Sequence, residues 1–417
     1  MPRLSEQNYF KNSPKLICLG SKSDSKISMS FTWMRRIDLY IGKSLLRLLG
    51  FFIKKSNSLY GDYKLPHYPK RVICTKFIGL GSVVLSLPLF KTLKEAGVQI
   101  AFWSFPGQAE IVKYSGFADV VWEIKPTYFG FIKTLWQTIR QARAFQADAF
   151  LDLEPTSNFT TLLSWLSGTQ MRIGFIAAKP LREQIYTHLV SLTPEHHITE
   201  NNLEMLHYLG IPLSMSNPLP PLPQNVYGVI SPLSKNPVRK RIVINVNSSD
   251  LSWHRMWVED HWVSLCNNLL QDPQVDLVFP GVKSELPRVQ RIMEKISKQD
   301  RIYNFAGKST LLQLLQLLRE SDLVVSVDSG IMHLAAWAKT PLVSLFGPET
   351  PSLYAPRSPY CKVVWASLPC SPCLSVAADK ITRCKDNQCM KKISPDQVYL
   401  ACQALLETSI IEKRSAA

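Results

Sequence analysis

Short apolar runs of four to six residues, each closed by a polar turn and followed by a stretch with helical spacing, recur from residue 71 to residue 346. They stand at 71–76, 99–104, 120–124, 149–153, 172–175, 241–245, 276–279, 302–305, 323–327 and 342–346. Mostly apolar on both faces, they predict parallel strands buried from both sides rather than the alternating strands of a half-solvated sheet. The stretches between them predict helices over 83–97, which contains Pro88, and over 129–145, 157–166, 258–270 and 331–339. Strand and helix in alternation is the pattern of a doubly wound α/β sheet.

The alternation breaks at 212–237, where seven prolines and little periodicity mark a linker between an N-terminal domain over 66–211 and a C-terminal domain over 238–405. Residues 1–28 are polar and aperiodic and are expected to be disordered, and 406–417 reads as a tail. The segment 29–65 differs from both: its apolar residues are interleaved with Arg35, Arg36, Lys43, Arg47, Lys54 and Lys55. Lys43 and Arg47 interrupt any run long enough to span a bilayer, so a basic amphipathic helix lying at a membrane surface is expected. Packing of that helix on the protein's own second domain is the competing reading.

Composition adds partners. A chain of 417 residues, 46% hydrophobic, can fill two cores, and its formal charge of +16 predicts attraction to something anionic. No arginine-rich run or aromatic–basic repeat is present, which sets nucleic acid aside and leaves an acidic membrane surface or phosphorylated substrates. Nine cysteines, an odd number with no cleavable signal peptide before them, favour a reducing cytosol. Cys370, Cys373, Cys384 and Cys389 fall within twenty residues. Three readings of them stay open: a structural zinc or iron–sulfur site, one or two disulfides, or packed free thiols.

The candidate chemistry lies at the carboxyl ends of the strands, where doubly wound sheets bind ligands. Asp328-Ser329-Gly330 follows the strand at 323–327 and opens a helix carrying His333, so unpaired N–H groups there suit a phosphate. An ordinary helix start with a packed histidine explains the same residues. The strand at 71–76 ends at Lys76 and runs into Gly79-Leu-Gly81-Ser82, but the third glycine of a dinucleotide fingerprint is missing, which argues against a nicotinamide-linked oxidoreductase. Asp152 and Glu154 end the strand at 149–153, as cleft carboxylates or as helix caps. Ser248 and Ser249 follow the strand at 241–245, and Arg255 is either a phosphate ligand or a solvated loop cation.

Asp328-Ser-Gly-x-x-His333-Leu-Ala-Ala, followed by Thr340-Pro-Leu-Val-x-Leu-Phe-Gly-Pro348, resembles the nucleotide-sugar signature of family 9 glycosyltransferases, the bacterial heptosyltransferases of lipopolysaccharide core synthesis. The resemblance covers about 71–405 and implies the GT-B architecture, two Rossmann-like domains facing each other across a cleft. It implies inverting transfer of a heptose or related sugar from an ADP-linked donor to a lipid-anchored saccharide at the cytoplasmic face of the inner membrane, with no catalytic cofactor. Ser248, Ser249 and Arg255 match its diphosphate-binding region, Glu285 its ribose-side carboxylate, and Ala306-Gly-Lys308-Ser its base-contacting loop. Asp328 and His333 would position donor sugar and phosphate, and Lys76, Gly79 and Gly81 would line the acceptor side. One position departs: where the family has the aspartate that takes the acceptor's proton, this chain has Ser82. A serine cannot take that proton unaided near neutral pH. Either Asp152 or Glu154 supplies the carboxylate, or the chain is a silent relative that binds nucleotide sugar or lipid as a scaffold.

Overall fold

The computed structural model describes residues 38–54, 65, 67–176, 180–212, 219–227, 229, 233, 235–248, 253–376, 380 and 382–415. The expected disorder at 1–28 and the candidate Ser249 lie outside them. The first half contains β1 (Arg71–Thr75), β2 (Gln99–Ser104), β3 (Val120–Glu123), β4 (Ala149–Asp152), β5 (Met171–Ile176) and β6 (His188–Ser191). The second contains β7 (Lys240–Asn245), β8 (Val275–Phe279), β9 (Ile302–Asn304), β10 (Leu323–Val327), β11 (Leu342–Phe346) and β12 (Cys361–Trp365).

Each set forms one six-stranded parallel sheet, ordered β3-β2-β1-β4-β5-β6 and β12-β11-β10-β7-β8-β9. Read from its other edge the second sheet repeats the order of the first, so the chain holds two Rossmann-type halves. In such a sheet the chain reverses its direction of winding between the first and fourth strands, which opens a crevice there. Those crevices lie between β1 and β4 and between β7 and β10. Val72, Ile73 and Cys74 of β1, and all of β10 and β11, are buried, as strands covered on both faces must be.

The helices that bear on the site are α1 (Lys43–Lys54), α2 (Leu80–Val84), α3 (Tyr128–Phe145), α4 (Asn158–Leu166), α5 (Ile198–Leu203), α6 (Gly330–Trp337) and α7 (Pro395–Ser415). The continuous helix expected over 83–97 is instead α2 followed by a separate helix, Leu87–Glu95. Pro88 sits in the first turn of that second helix, where its missing N–H costs nothing. The final helix, α7, continues from the second half through the expected tail to Ser415, and its Val398 and Cys402 are buried in the second half. Of the proline-rich linker, Pro220 accepts a hydrogen bond from Trp337 Nε1 of α6 at 2.9 Å, so its described part lies against the second half.

A π turn, Asp38–Gly42, leads into α1, which among the described residues packs on the first half rather than the second. Leu46 is buried with Leu162 and Ile185. The Asp38 carboxylate accepts from the backbone N–H groups of Asn158 at 3.1 Å and Phe159 at 2.5 Å, at the positive end of α4. One stripe of α1 is thus spent on docking, while Ile41, Leu45, Leu48 and Phe51 remain exposed.

Candidate active site

At the second crevice, β10 ends in Asp328 and the chain turns through Ser329 into α6. Ser329 occupies the N-cap position but makes no side-chain cap. Its hydroxyl instead accepts from Asn245 Nδ2 at 2.7 Å, and the same amide donates to Ser326 Oγ at 2.8 Å, which ties the end of β7 to the end of β10. The N-terminus of α6 therefore faces the crevice without a side-chain cap.

Arg255 reaches in from a single turn of 3-10 helix, Trp253–Arg255. Its Nε lies 3.3 Å from Asp328 Oδ2 and its Nη2 3.5 Å from Glu349 Oε2. Burial works against the guanidinium's charge, but Asp328 and Glu349 together outweigh it and hold the group above its ordinary range. Glu349, directly after Gly347-Pro348 at the end of β11, also pairs with Lys380. Burial pushes the Glu349 carboxyl up and the Lys380 amine down, each partly offset by the other.

Buried polar atoms without a hydrogen bond cluster here: Asn245 Oδ1, Asn247 Nδ2, His333 Nδ1 and Glu349 Oε1, beside Arg255 Nε and Asp328 Oδ2, which meet only each other, as an ion pair that makes no hydrogen bond. A folded chain leaves few such atoms, because each costs about 1–3 kcal/mol, and their concentration in one crevice marks a place prepared for a polar ligand.

At the first crevice, Glu154 follows β4 and is all but fully buried. Its carboxylate accepts from Lys76 Nζ at 2.7 Å and from the backbone N–H groups of Phe77 at 2.7 Å and Ile78 at 2.5 Å. Asp152 is placed otherwise. It accepts from Tyr186 Oη at 2.5 Å and from the backbone N–H of Glu154 at 2.9 Å, and lies 3.5 Å from Arg182. Burial pushes it up to about 6 against the pull of Arg182 and Tyr186. Arg182 donates in turn to the Glu154 carbonyl at 2.6 Å. Asp152 therefore shapes the loop that presents Glu154 and does not itself reach the cleft. Gly174 gives the flat face on which the Tyr186 ring lies, since a Cβ there would meet the ring at 2.5 Å.

The two crevices face each other. Lys76, Gly79, Gly81, Ser82 and Glu154 from one side and Arg255, Asp328, Ser329, Gly330, His333, Glu349 and Lys380 from the other line a single cavity of about 810 Å³. His333 is enclosed against Gly81, and burial lowers its imidazole to about 4, so it is neutral at physiological pH. Ser248 is buried at the end of β7. Glu285 Oε2 accepts from the backbone N–H of Val282 at 2.8 Å, and Lys308 Nζ donates to the Asn304 carbonyl at 2.8 Å; none of these three lines the cavity.

Glu349 and Lys380 escaped the sequence reading. Glu349 had one signal, its place directly after a strand-ending Gly-Pro; Lys380 had none, since a loop brings it in from outside the strand pattern.

All eight described cysteines are free thiols, which removes the disulfide reading. No group of three His, Cys, Asp or Glu side chains among the described residues is arranged to hold a metal. The four clustered thiols do lie near one another: Cys389 is raised to about 11 by burial first and then by Cys373, Cys370 and Cys384. Two of the sulfurs are engaged elsewhere, Cys384 Sγ donating to the Asp386 carbonyl at 3.0 Å and Cys389 Sγ packing over Gly347. The zinc expectation thus finds no ligand set here. What the segment does is brace the Arg255 turn: the Cys384 carbonyl is 2.7 Å from His254 Nε2, and Asn387 Nδ2 donates to the Met256 carbonyl at 2.9 Å.

Two Rossmann-type halves with their strand ends facing across one cavity constitute the GT-B architecture. Residues 133–381 match the model of glycosyltransferase family 9 (heptosyltransferase), and the chain belongs to that family. It is 29% identical over 181 residues to lipooligosaccharide heptosyltransferase 2 of Campylobacter jejuni, covering 43% of this chain and 55% of that one. It is 24% identical over 295 residues to the lipopolysaccharide core heptosyltransferase OpsX of Haemophilus influenzae, covering 69% and 82%. Over the first of these relatives the chain thus spans about half the length. The ADP-heptose lps heptosyltransferase II of Escherichia coli superposes with a TM-score of 0.64 at 19% identity, covering 81% of this chain and 99% of that one. The family match begins beyond the glycine turn at 79–82 and does not reach Ser82.

Proposed function

We propose that the chain transfers a heptose or related sugar, with inversion, from an ADP-linked donor to a lipid-anchored saccharide of lipopolysaccharide-core type at the cytoplasmic face of the inner membrane. The observation that carries this reading is the set of buried polar atoms without hydrogen bonds around Arg255, Asp328 and His333, which shares one cavity with Glu154. The donor's diphosphate lies between the N-terminus of α6 and the Arg255 guanidinium, with Lys380 as a second cation. An acceptor hydroxyl attacks the anomeric carbon as the bond from that carbon to the diphosphate oxygen breaks, and its proton passes to Glu154. Charge developing on the leaving diphosphate is met by Arg255, Lys380 and the amides of α6, without calling on a metal. Lys76 and the backbone N–H groups of Phe77 and Ile78 fix the Glu154 carboxylate in place, and Asp152 acts through it as a positioning residue. The basic, apolar face of α1 holds the protein on the anionic membrane.

A thermal-shift comparison of ADP-heptose with UDP- and GDP-sugars tests the donor, and mass spectrometry of the acceptor tests transfer. ADP-heptose is expected to stabilise the protein most, and Glu154→Gln to reduce kcat at least about 100-fold while keeping the ADP-heptose shift. Donor binding with no transfer in the wild type would leave only a binding relative. An unchanged kcat in Glu154→Gln would remove Glu154 as the base.

A further inference from the structure

The cavity is too long and too apolar for the donor site alone. From the charged groups at Asp328, Arg255 and Glu349 it runs outward between α1, α3 and α4, where Leu45, Phe131, Ile132, Leu135, Leu162 and Leu166 form its walls. The polar groups at that outer end are spent elsewhere: Asp38 and Ser157 both serve the start of α4. Its rim is unusual for a surface in water. Phe129 is 81% exposed, Ile132 63%, Trp136 62%, Leu48 57% and Phe51 65%, so α1 and α3 present neighbouring apolar faces with no cover among the described residues. Lys43, Arg47 and Lys133 stand among them, exposed.

A sugar nucleotide gains nothing from such walls, and a flat membrane surface does not fill a chamber behind a rim. What fits is a molecule with a hydrocarbon part, a polar part that reaches Glu154, and negative charge where the basic side chains stand. We infer that the outer chamber binds a hydrocarbon tail of the acceptor lipid, drawn out of the bilayer beside α1, so that the tail helps to place the reacting sugar in the cleft. The inference deepens the transfer proposed above and rests on it for the acceptor's identity, but the chamber's preference for hydrocarbon can be read without any transfer.

The test uses the full chain and two readouts. The first is uptake of 11-(dansylamino)undecanoic acid, followed by its fluorescence in the absence of vesicles, for the wild type, Leu45→Asp, Ile132→Asp and the conservative Ile132→Met. The second is the KM for an acylated lipid A-type saccharide and for the same saccharide deacylated. Leu45 and Ile132 are largely exposed, and the ADP-induced thermal shift reports that each variant is folded with its donor site intact. The wild type and Ile132→Met are expected to take up the probe, and both aspartate variants to bind it at least 10-fold more weakly with the ADP shift unchanged. The acylated acceptor is expected to have a KM at least 10-fold below the deacylated one in the wild type and to lose that advantage in the aspartate variants. No uptake by the wild type, equal uptake by wild type and aspartate variants, uptake only when vesicles are present, or equal KM values for the two acceptors would each overturn the inference. If neither acceptor receives sugar while the variants still differ in uptake, the transfer reading fails and the hydrocarbon chamber stands.

Discussion

Gly81 has no room for a side chain: a Cβ built there would lie 2.2 Å from His333 Cδ2 across the cleft, with Gly330 of α6 against Leu80 beside it. Gly81→Ala must therefore displace the imidazole or hold the two halves apart. Because positioning errors of about 1 Å cost on the order of 100-fold in rate, kcat/KM is expected to fall by about that factor. Arg255, Lys380 and the amides of α6 are untouched, so the ADP-induced thermal shift should persist; undiminished kcat/KM would show that this contact does not set the geometry. Arg255 makes the opposite case. Its removal leaves Asp328 buried without a cation and Glu349 with Lys380 alone, so Arg255→Ala is expected to lose stability by about 3–5 kcal/mol as well as ADP affinity. Arg255→Lys keeps the charge without the fork that spans both carboxylates, and should recover most of the stability and less of the affinity. Urea unfolding and calorimetric ADP titration separate the two effects, and equal recovery of both would refute the role of the fork.

At the scale of elements, α1 is held by a carboxylate from outside the helix that carboxylate caps. Asp38 accepts from the first amides of α4, and Asn158 Nδ2 donates back to the Asp38 carbonyl at 3.0 Å. Asp38→Ala is expected to cost about 1–2 kcal/mol in urea unfolding and to speed tryptic cleavage at Lys43 and Arg47 as α1 detaches. Cleavage at the wild-type rate would mean that the apolar contacts of Leu46 and Leu49 hold the helix without Asp38. Nothing in the sequence pairs Asp38 with residue 158, since the contact spans 120 positions, and for that reason α1 read as a membrane helix or as a partner of the second half. Strands β10 and β11 were legible to the residue because burial on both faces leaves an unbroken apolar run bounded by polar turns. The edge strands β6 and β12 were not, since β12 is covered on one side only and its exposed Lys362 and Val363 break the pattern. The site divides in the same way. Residues at strand ends, such as Asp328 and Glu154, were found by position, whereas Lys380 and Asp38 arrive by tertiary folding alone.

For the whole molecule, the closed cleft depends on ties between the halves, and one of them titrates. His197 caps α5, accepting the Thr199 backbone N–H on Nδ1 at 3.2 Å, so its proton sits on Nε2 and is donated across to the Ala355 carbonyl at 2.9 Å. Arg357 pairs with Glu200 beside it, and Leu85, Ile198 and Leu353 pack beneath. A second proton on this imidazole would set a donor against the Thr199 N–H, and burial lowers the group from 6.5 to about 4. Between those values the unfolded chain binds the extra proton and the folded chain does not, so this contribution is complete above pH 6.5 and declines as the pH falls toward 4. At pH 5 the loss is about 2 kcal/mol. His333, also lowered to about 4, works in the same direction, while Asp152, raised to about 6, gains its proton on folding and works in the opposite one. The wild-type curve therefore mixes them, and the difference from His197→Asn isolates one. Asparagine keeps an oxygen to accept the Thr199 N–H and loses only the reach to Ala355 and the titration. In urea unfolding, the stability lost in His197→Asn relative to the wild type should shrink by about 2 kcal/mol between pH 7 and pH 5. The comparison stops at pH 5, above the range where Glu200, held below its ordinary value by Arg357, takes up a proton. A variant whose deficit is the same at both pH values would show that this imidazole is free to protonate in the folded protein and that the tie between the halves does not depend on its neutral form.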